Sequence, residues 1–353
     1  MKIAQLVSNF YATSPTAYHA IYSHAAWLSN GLKKLNNDVT LYASGDSKVT
    51  CDVKSVLPKA IDSLGFSENI KKYYLHLLIS KCYGDAEKYD IIHSHFNLLS
   101  SFYSRLVKTP TVNSIHSPID EDAKPLLLQF KNAHYISFSQ AQRKIIPELN
   151  WVGNIYHGVN MDIFSFNPKP QDYFFYLGRL TEKKGIHLAI ETARAAKVPL
   201  LIAGRSYPQE SYWHDKIEKY IDGKNIRYVG EANFMQKIEY LQNAKALLFP
   251  TQYDEVFGYV MIEAMACGTP VIGWRSGAVP EVIQDGQTGY VVQTVNEMVK
   301  AIKSVDKISR EETRKRAERY FSVNKMVAGY QKIYERVISE TAFKKAKKEK
   351  TVS

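Results

Sequence analysis

Strand-like apolar runs alternate with helix-like stretches along almost the whole chain, and this alternation restricts the fold to parallel sheets flanked by helices. In the first half the strands are expected at residues 2–7, 38–43, 90–93, 111–115, 135–137 and 154–156, with a helix over about residues 18–35. In the second half they are expected at residues 173–177, 200–203, 226–229, 246–249, 271–273 and 289–292. Polar, proline-bearing residues 160–172 separate the two series and read as a hinge. A chain of 353 residues also exceeds the usual size of one core. The expected organisation is a first domain over 1–165, a second over 166–322, a terminal helical stretch over 323–340 and a basic tail over 341–353.

Composition narrows the setting. Hydrophobic residues make up 45% of the chain, which is ample for folding and far from disorder. Cys51, Cys82 and Cys267 are odd in number and show no paired spacing, against a disulfide framework or a zinc site and in favour of a reduced, cytoplasmic address. No signal-like or membrane-spanning apolar run is present. The net charge of +11, concentrated partly in Lys344, Lys345, Lys347, Lys348 and Lys350, fits solvated helix faces and also attraction to an anionic membrane surface. Nucleic acid is disfavoured as a partner, because no helix-turn-helix, ribonucleoprotein signature or zinc finger accompanies the charge. In the stretch 310–320, Glu311 with Lys315 and Glu312 with Arg316 are expected as i,i+4 pairs.

Chemistry concentrates in the second half. Glu255 falls on a loop after the apolar run 246–250, and Glu263 falls two helical turns later, so both acids are expected to face a ligand at that loop. Ionised carboxylates accept hydrogen bonds from a ribose diol or a pair of sugar hydroxyls. The helix opening at Phe257 and Gly258 would add backbone N–H groups and a positive dipole end suited to phosphate. The same spacing also fits an acidic N-cap followed by a half-buried Glu. Arg179 and Lys184 follow the strand 173–177, where an open parallel sheet places its ligands, and the two cations can hold two phosphates. As ordinary surface residues they would be solvated loop charges.

The order of segments Gly178-Arg179, Lys184-Gly185, Glu255 to Glu263, Glu263-Ala264-Met265-Ala266-Cys267-Gly268-Thr269-Pro270, Gly277-Ala278-Val279-Pro280-Glu281 and Asp285-Gly286-Gln287-Thr288-Gly289 resembles glycosyltransferase family 4. The similarity is specific from about residue 173 to 292 and weaker upstream, at residues 90–96 and 155–160. It implies the GT-B architecture, two doubly wound Rossmann-like α/β domains facing across a cleft. The second domain would carry the nucleotide, and the terminal helix would cross back to the first.

The implied activity is a retaining, metal-independent hexosyl transfer from a nucleoside diphosphate sugar, UDP- or GDP-linked, to an acceptor hydroxyl. The acceptor is expected to be a saccharide or lipid-linked saccharide in surface polysaccharide or glycolipid synthesis, with the enzyme peripheral at the inner face of the membrane. A GT-B nucleotide-sugar epimerase and an inactive nucleotide-sugar-binding homologue are the alternatives. By the resemblance, Arg179 and Lys184 stabilise the departing phosphate in place of a metal, Glu255 binds the donor sugar and Glu263 the ribose. Phe257 and Gly258 approach the phosphate, and the surroundings of Arg205 and Gly230 serve the base. His116, at the end of the strand 111–115, matches a family histidine that reaches the reacting sugar. His93 and His95 form an HxH pair with no suitably spaced third ligand, and no metal role is expected of them. One departure is visible: residues 9–18, after the first strand, contain no glycine where family members commonly carry a Gly-Gly loop.

Overall fold

The computed structural model describes residues 1–352, with side chains described for residues 1–347. Of the expected basic tail, the side chains of Lys348, Glu349 and Lys350 thus lie outside the described residues, as does Ser353. The chain forms two compact units. The first contains residues 1–138, 143–156 and the chain from Val323 onward; the second contains residues 139–142 and 157–322.

The first unit is built on a wholly parallel sheet of β1 (Lys2–Leu6), β2 (Asp38–Tyr42), β3 (Asp52–Lys54), β4 (Ile91–Ser94), β5 (Thr111–Ser114), β6 (His134–Ser137) and β7 (Trp151–Asn154). Their spatial order is β3-β2-β1-β4-β5-β6-β7, so the order reverses between β1 and β4. Helices cover the sheet, so strand residues such as Ile3, Leu6, Ile91, Ile92 and Val112 are wholly buried and the strands read as apolar runs. Two strands depart from expectation. β3 is a three-residue edge strand, Asp52-Val53-Lys54, too short and polar to leave an apolar signature. β7 lies upstream of the expected 154–156, because Trp151 pairs with Tyr135, packs edge-on against its ring and donates its indole N–H to the Ile146 carbonyl at 3.0 Å.

The terminal helix runs from Val323 to Val352, well past residue 340 and through the stretch expected as a tail. It seats on the first unit through small residues. A Cβ at Gly31 would come within 2.4 Å of Val327, and one at Gly329 within 2.6 Å of Ile155. Tyr330 and Tyr334 on this helix are fully buried, with Tyr334 accepting from Gln5 Nε2 at 3.0 Å.

The second unit repeats the plan with β8 (Phe174–Leu177), β9 (Leu200–Ala203), β10 (Ile226–Tyr228), β11 (Ala246–Phe249), β12 (Val271–Trp274) and β13 (Gly289–Val292), again all parallel. Their order is β10-β9-β8-β11-β12-β13, and the reversal falls between β8 and β11. The helix Ile186–Ala196 buries Ile186, Ala189, Ile190 and Ala193 against this sheet, a stripe at helical spacing. Residues 160–172, expected as a hinge, belong to this unit. Their carbonyl groups are satisfied by two arginines of the helix Arg310–Tyr320: Arg314 donates to Phe164 and Met161, and Arg310 to Asn167 at 2.6 Å. On the same helix the expected i,i+4 pairing is replaced. Glu312 pairs with Lys315 at 2.8 Å, and Arg316 donates to the carbonyls of Val282 and Glu281.

Candidate active site

In an open parallel sheet the crevice for a ligand lies at the carboxyl ends of the strands on either side of the order reversal. In the second unit those strands are β8 and β11, and the loops that follow them carry Lys184 and Glu255. Lys184 closes a short 3-10 turn, Glu182–Lys184, which Tyr176 fastens by donating its hydroxyl to the carbonyls of Arg179 (3.1 Å) and Lys184 (3.3 Å). Lys184 Nζ lies 2.7 Å from Glu255 Oε2, with the two side chains only 19% and 12% exposed. Tyr253 donates to the same carboxylate oxygen at 3.0 Å, and its ring lies 4.8 Å from the ammonium. Burial by itself would push the Lys184 pKa down; the Glu255 charge, with Tyr253, outweighs it and leaves the ammonium above its ordinary value. A fixed cation with a carboxylate beside it therefore stands at this reversal.

Glu255 is seated by a segment remote in sequence. Ala278 N donates to the Glu255 carbonyl at 2.9 Å and Gly277 N to Asp254 Oδ1 at 3.2 Å. Gly277 adopts φ +44°, and a Cβ there would lie 2.2 Å from the Glu255 carbonyl oxygen, so only glycine permits this approach. The motif Gly277-Ala278-Val279-Pro280-Glu281 thus acts as the back wall of the Glu255 loop.

Glu263 lies on the helix Tyr259–Ala266 and is 6% exposed. It forms an ion pair with Lys237, whose ammonium sits 4.9 Å from the Phe234 ring and 5.6 Å from that of Phe164. Lys237 comes from the first turn of the helix Phe234–Asn243, which a capping box of Asn233 and Gln236 starts at that point. The sequence reading did not name Lys237, and the capping box was the local signal that could have placed it.

Gly258 takes φ +84° and starts the Glu263 helix, which has no acidic residue in its first turn to offset its positive end. Phe257 is buried against His157 and Phe321, so its side chain belongs to the core and only its backbone is available to a ligand. Arg179, Arg205 and Gly230 each stand two residues beyond the end of β8, β9 and β10, a row along three adjacent strands. Backbone bonds lace this row: Leu180 N to Arg205 O at 2.9 Å and Gly204 N to Gly230 O at 2.9 Å. Arg179 is exposed and forms no ion pair among the described residues. Arg205 is exposed beside the Tyr207 ring, and Gly230 has open space where a Cβ would stand.

His116 belongs to the first unit, at the end of β5, half-buried, with its backbone N–H donated to Asn97 Oδ1 at 2.7 Å. Its Nε2 lies 2.9 Å from His95 Nδ1, and His95 Nε2 lies 3.1 Å from Gln5 Oε1. His93 forms a separate chain, from Tyr334 at its Nδ1 to Ser114 at its Nε2. Burial holds the rings of His93 and His95 below the ordinary histidine pKa, to about 3 for His95, so both are neutral. Along the sequence no third ligand is suitably spaced for the HxH pair, and in the structure only its His95 joins such a group. The ring of His24, from the helix Ala20–Lys34, is grouped with those of His95 and His116, and His93 is not part of the group. The chain also contains one Asp-x-Asp, Asp120-Glu121-Asp122; it lies exposed in the first unit, with Glu121 paired to Lys124.

Residues 161–321 match the family Glycosyl transferases group 1. They form a group 1 glycosyltransferase domain. The segments that carried the resemblance to glycosyltransferase family 4 lie within this match. Over nearly its full length the chain is similar to an uncharacterised glycosyltransferase of Methanocaldococcus jannaschii, 24% identical over 91% of this chain and 97% of the relative. A shorter region, 33% of this chain and 34% of the relative, is 37% identical to N-acetyl-alpha-D-glucosaminyl L-malate synthase of Bacillus anthracis. Among solved structures, sucrose-phosphate synthase of Thermosynechococcus elongatus has a TM-score of 0.74 at 20% identity, covering 96% of this chain and 99% of that one. Anabaena HepE, solved in complex with UDP and glucose, has a TM-score of 0.72 at 18% identity, covering 96% and 100%. The chain therefore has the GT-B fold of two Rossmann-like domains.

Proposed function

We propose that the protein transfers a hexosyl group, with retention and without a divalent metal, from a nucleoside diphosphate sugar to an acceptor hydroxyl. The observation that carries this reading is the Lys184–Glu255 pair, a cation held charged at the sheet reversal by the acid beside it. Breaking the glycosidic bond loads negative charge onto the leaving β-phosphate, and a fixed cation there stabilises the transition state more than the ground state. Lys184 supplies that charge from a rigid seat, and exposed Arg179 adds a second cation that orders when the donor binds. Glu255 keeps an oxygen for a donor-sugar hydroxyl. Glu263 accepts from the ribose, with Lys237 orienting its carboxylate. The row of Arg179, Arg205 and Gly230 leaves room for the base, and His116 supplies a hydrogen bond to the transferred sugar.

For the acceptor the proposed class is a saccharide or lipid-linked saccharide in surface polysaccharide or glycolipid synthesis, at the inner face of a membrane. Among the described residues no helix is long and apolar enough to cross a membrane. The exposed lysines Lys344, Lys345 and Lys347 near the end of the terminal helix would serve attraction to anionic head groups. A thermal-shift panel of UDP, GDP and ADP sugars with EDTA present tests the donor reading. The cognate donor at a hundred times its dissociation constant should stabilise by about 2.7 kcal/mol. No stabilisation by any of them, or stabilisation only on adding Mg2+ or Mn2+, refutes it. Slow release of nucleoside diphosphate without acceptor separates a transferase from an inactive binding homologue.

A further inference from the structure

We propose that His24, His95 and His116 form a binding site for one transition-metal ion of the Zn2+ type in the first unit. One ring nitrogen of each lies within 4.8 Å of the others, and the three come from separate elements: a helix, the loop after β4 and the loop after β5. Tetrahedral zinc with nitrogen ligands at about 2.0–2.1 Å holds them about 3.4 Å apart. The His95 Nδ1 to His116 Nε2 separation is 2.9 Å, so that pair opens by a few tenths of an ångström to admit the ion.

The surroundings suit metal ligands. Gln5 donates its amide to Tyr334 and so turns Oε1, which can only accept, toward His95 Nε2 at 3.1 Å. His95 therefore carries its proton on Nε2 and directs the Nδ1 lone pair into the cluster, the orientation by which an outer hydrogen bond sets a ligating imidazole. Tyr330, on the terminal helix, approaches His24 Nε2 at 3.4 Å, a second outer contact. Three imidazoles without a carboxylate favour Zn2+, Cu2+ or Ni2+ over Mg2+, Ca2+ or Mn2+. His116 is half-buried, so the fourth ligand of a tetrahedral ion here would be water.

Such an ion does not serve the diphosphate, which the second unit holds with its own cations in the reading above. It takes the ring nitrogen of His116 instead, so its binding should inhibit transfer rather than support it. The metal site itself stands independently of that reading.

The test uses the full chain, stripped with chelator, then titrated with Co2+ as a spectroscopic probe and with Zn2+ against a chromophoric chelator. The expected result is one equivalent bound, with the intense visible bands of a four-coordinate site. His24→Gln and His95→Gln should each weaken binding by about 100-fold or more, and Gln5→Leu by about 10–100-fold as an outer-contact loss. Because either histidine variant could fail to fold, X-ray absorption on the zinc-loaded wild-type protein counts the ligands directly, and three imidazoles are expected. Absence of stoichiometric binding, unchanged affinity in folded His24→Gln, or a coordination shell without imidazoles overturns the proposal.

Discussion

At the scale of single residues, Lys184 and Arg179 carry the same charge in different settings, and that difference separates catalysis from stability. Each should lower kcat by about 100-fold or more when changed to alanine, by analogy with removing one transition-state donor. Only Lys184→Ala should also unfold early, because it leaves the mostly buried Glu255 carboxylate without its cation. A fall in Tm of about 5 °C or more is expected for Lys184→Ala against little change for Arg179→Ala, measured by circular dichroism. Equal Tm values would show that the pair does not stabilise the fold. The direction of the Lys184 shift sets a pH expectation too. A raised lysine pKa means that the ion pair is fully present below the ordinary value and is lost only as pH rises through the higher folded value. The profile of kcat/KM should then show no alkaline limb from Lys184 below about pH 10. A limb between pH 7 and about 9 that vanishes in Lys184→Arg would contradict this.

At the scale of elements, loops rather than strands decide the site. The Glu255 loop owes its position to the segment at Gly277, where a Cβ would stand 2.2 Å from the Glu255 carbonyl. Gly277→Ala should leave the sheet intact yet displace Glu255, lowering kcat/KM by about 10–100-fold, because misplacement near 1 Å can cost that much. Unchanged kinetics with a folded variant would remove the back-wall role. The helices divide by legibility. The stripe Ile186, Ala189, Ile190 and Ala193 was visible as period, as was the whole second strand series. The edge strand Asp52–Lys54, the shifted β7 and the full extent of the terminal helix were not, since edges lack apolar contrast and a lysine-rich helix resembles a tail.

For the whole molecule, two sheets with separate cores imply two cooperative units, and the donor motifs lie in only one of them. Calorimetry should show the donor raising the transition of the second unit more than that of the first, where His116 alone is proposed to touch the transferred sugar. Trp213 and Trp274 report the second unit and Trp27 and Trp151 the first, so a Trp27→Phe/Trp151→Phe variant assigns the transition by fluorescence. A donor-induced shift confined to the first unit would be incompatible with the proposed donor site.

The sequence by itself determined the two strand series, the α/β class and the chemical types at the site: the cations after β8, the acids around the Glu263 helix, the histidine after β5. Those properties reside in local period and in residue identity, which neighbours along the chain suffice to express. Only the tertiary structure decided the partners. It joined Lys184 to Glu255 across 71 positions and Lys237 to Glu263 across 26, turned Phe257 into core, and set His24 beside His95 and His116. Strand order and helix seating bring such residues together, and no short stretch of sequence encodes which distant loop will stand next to it.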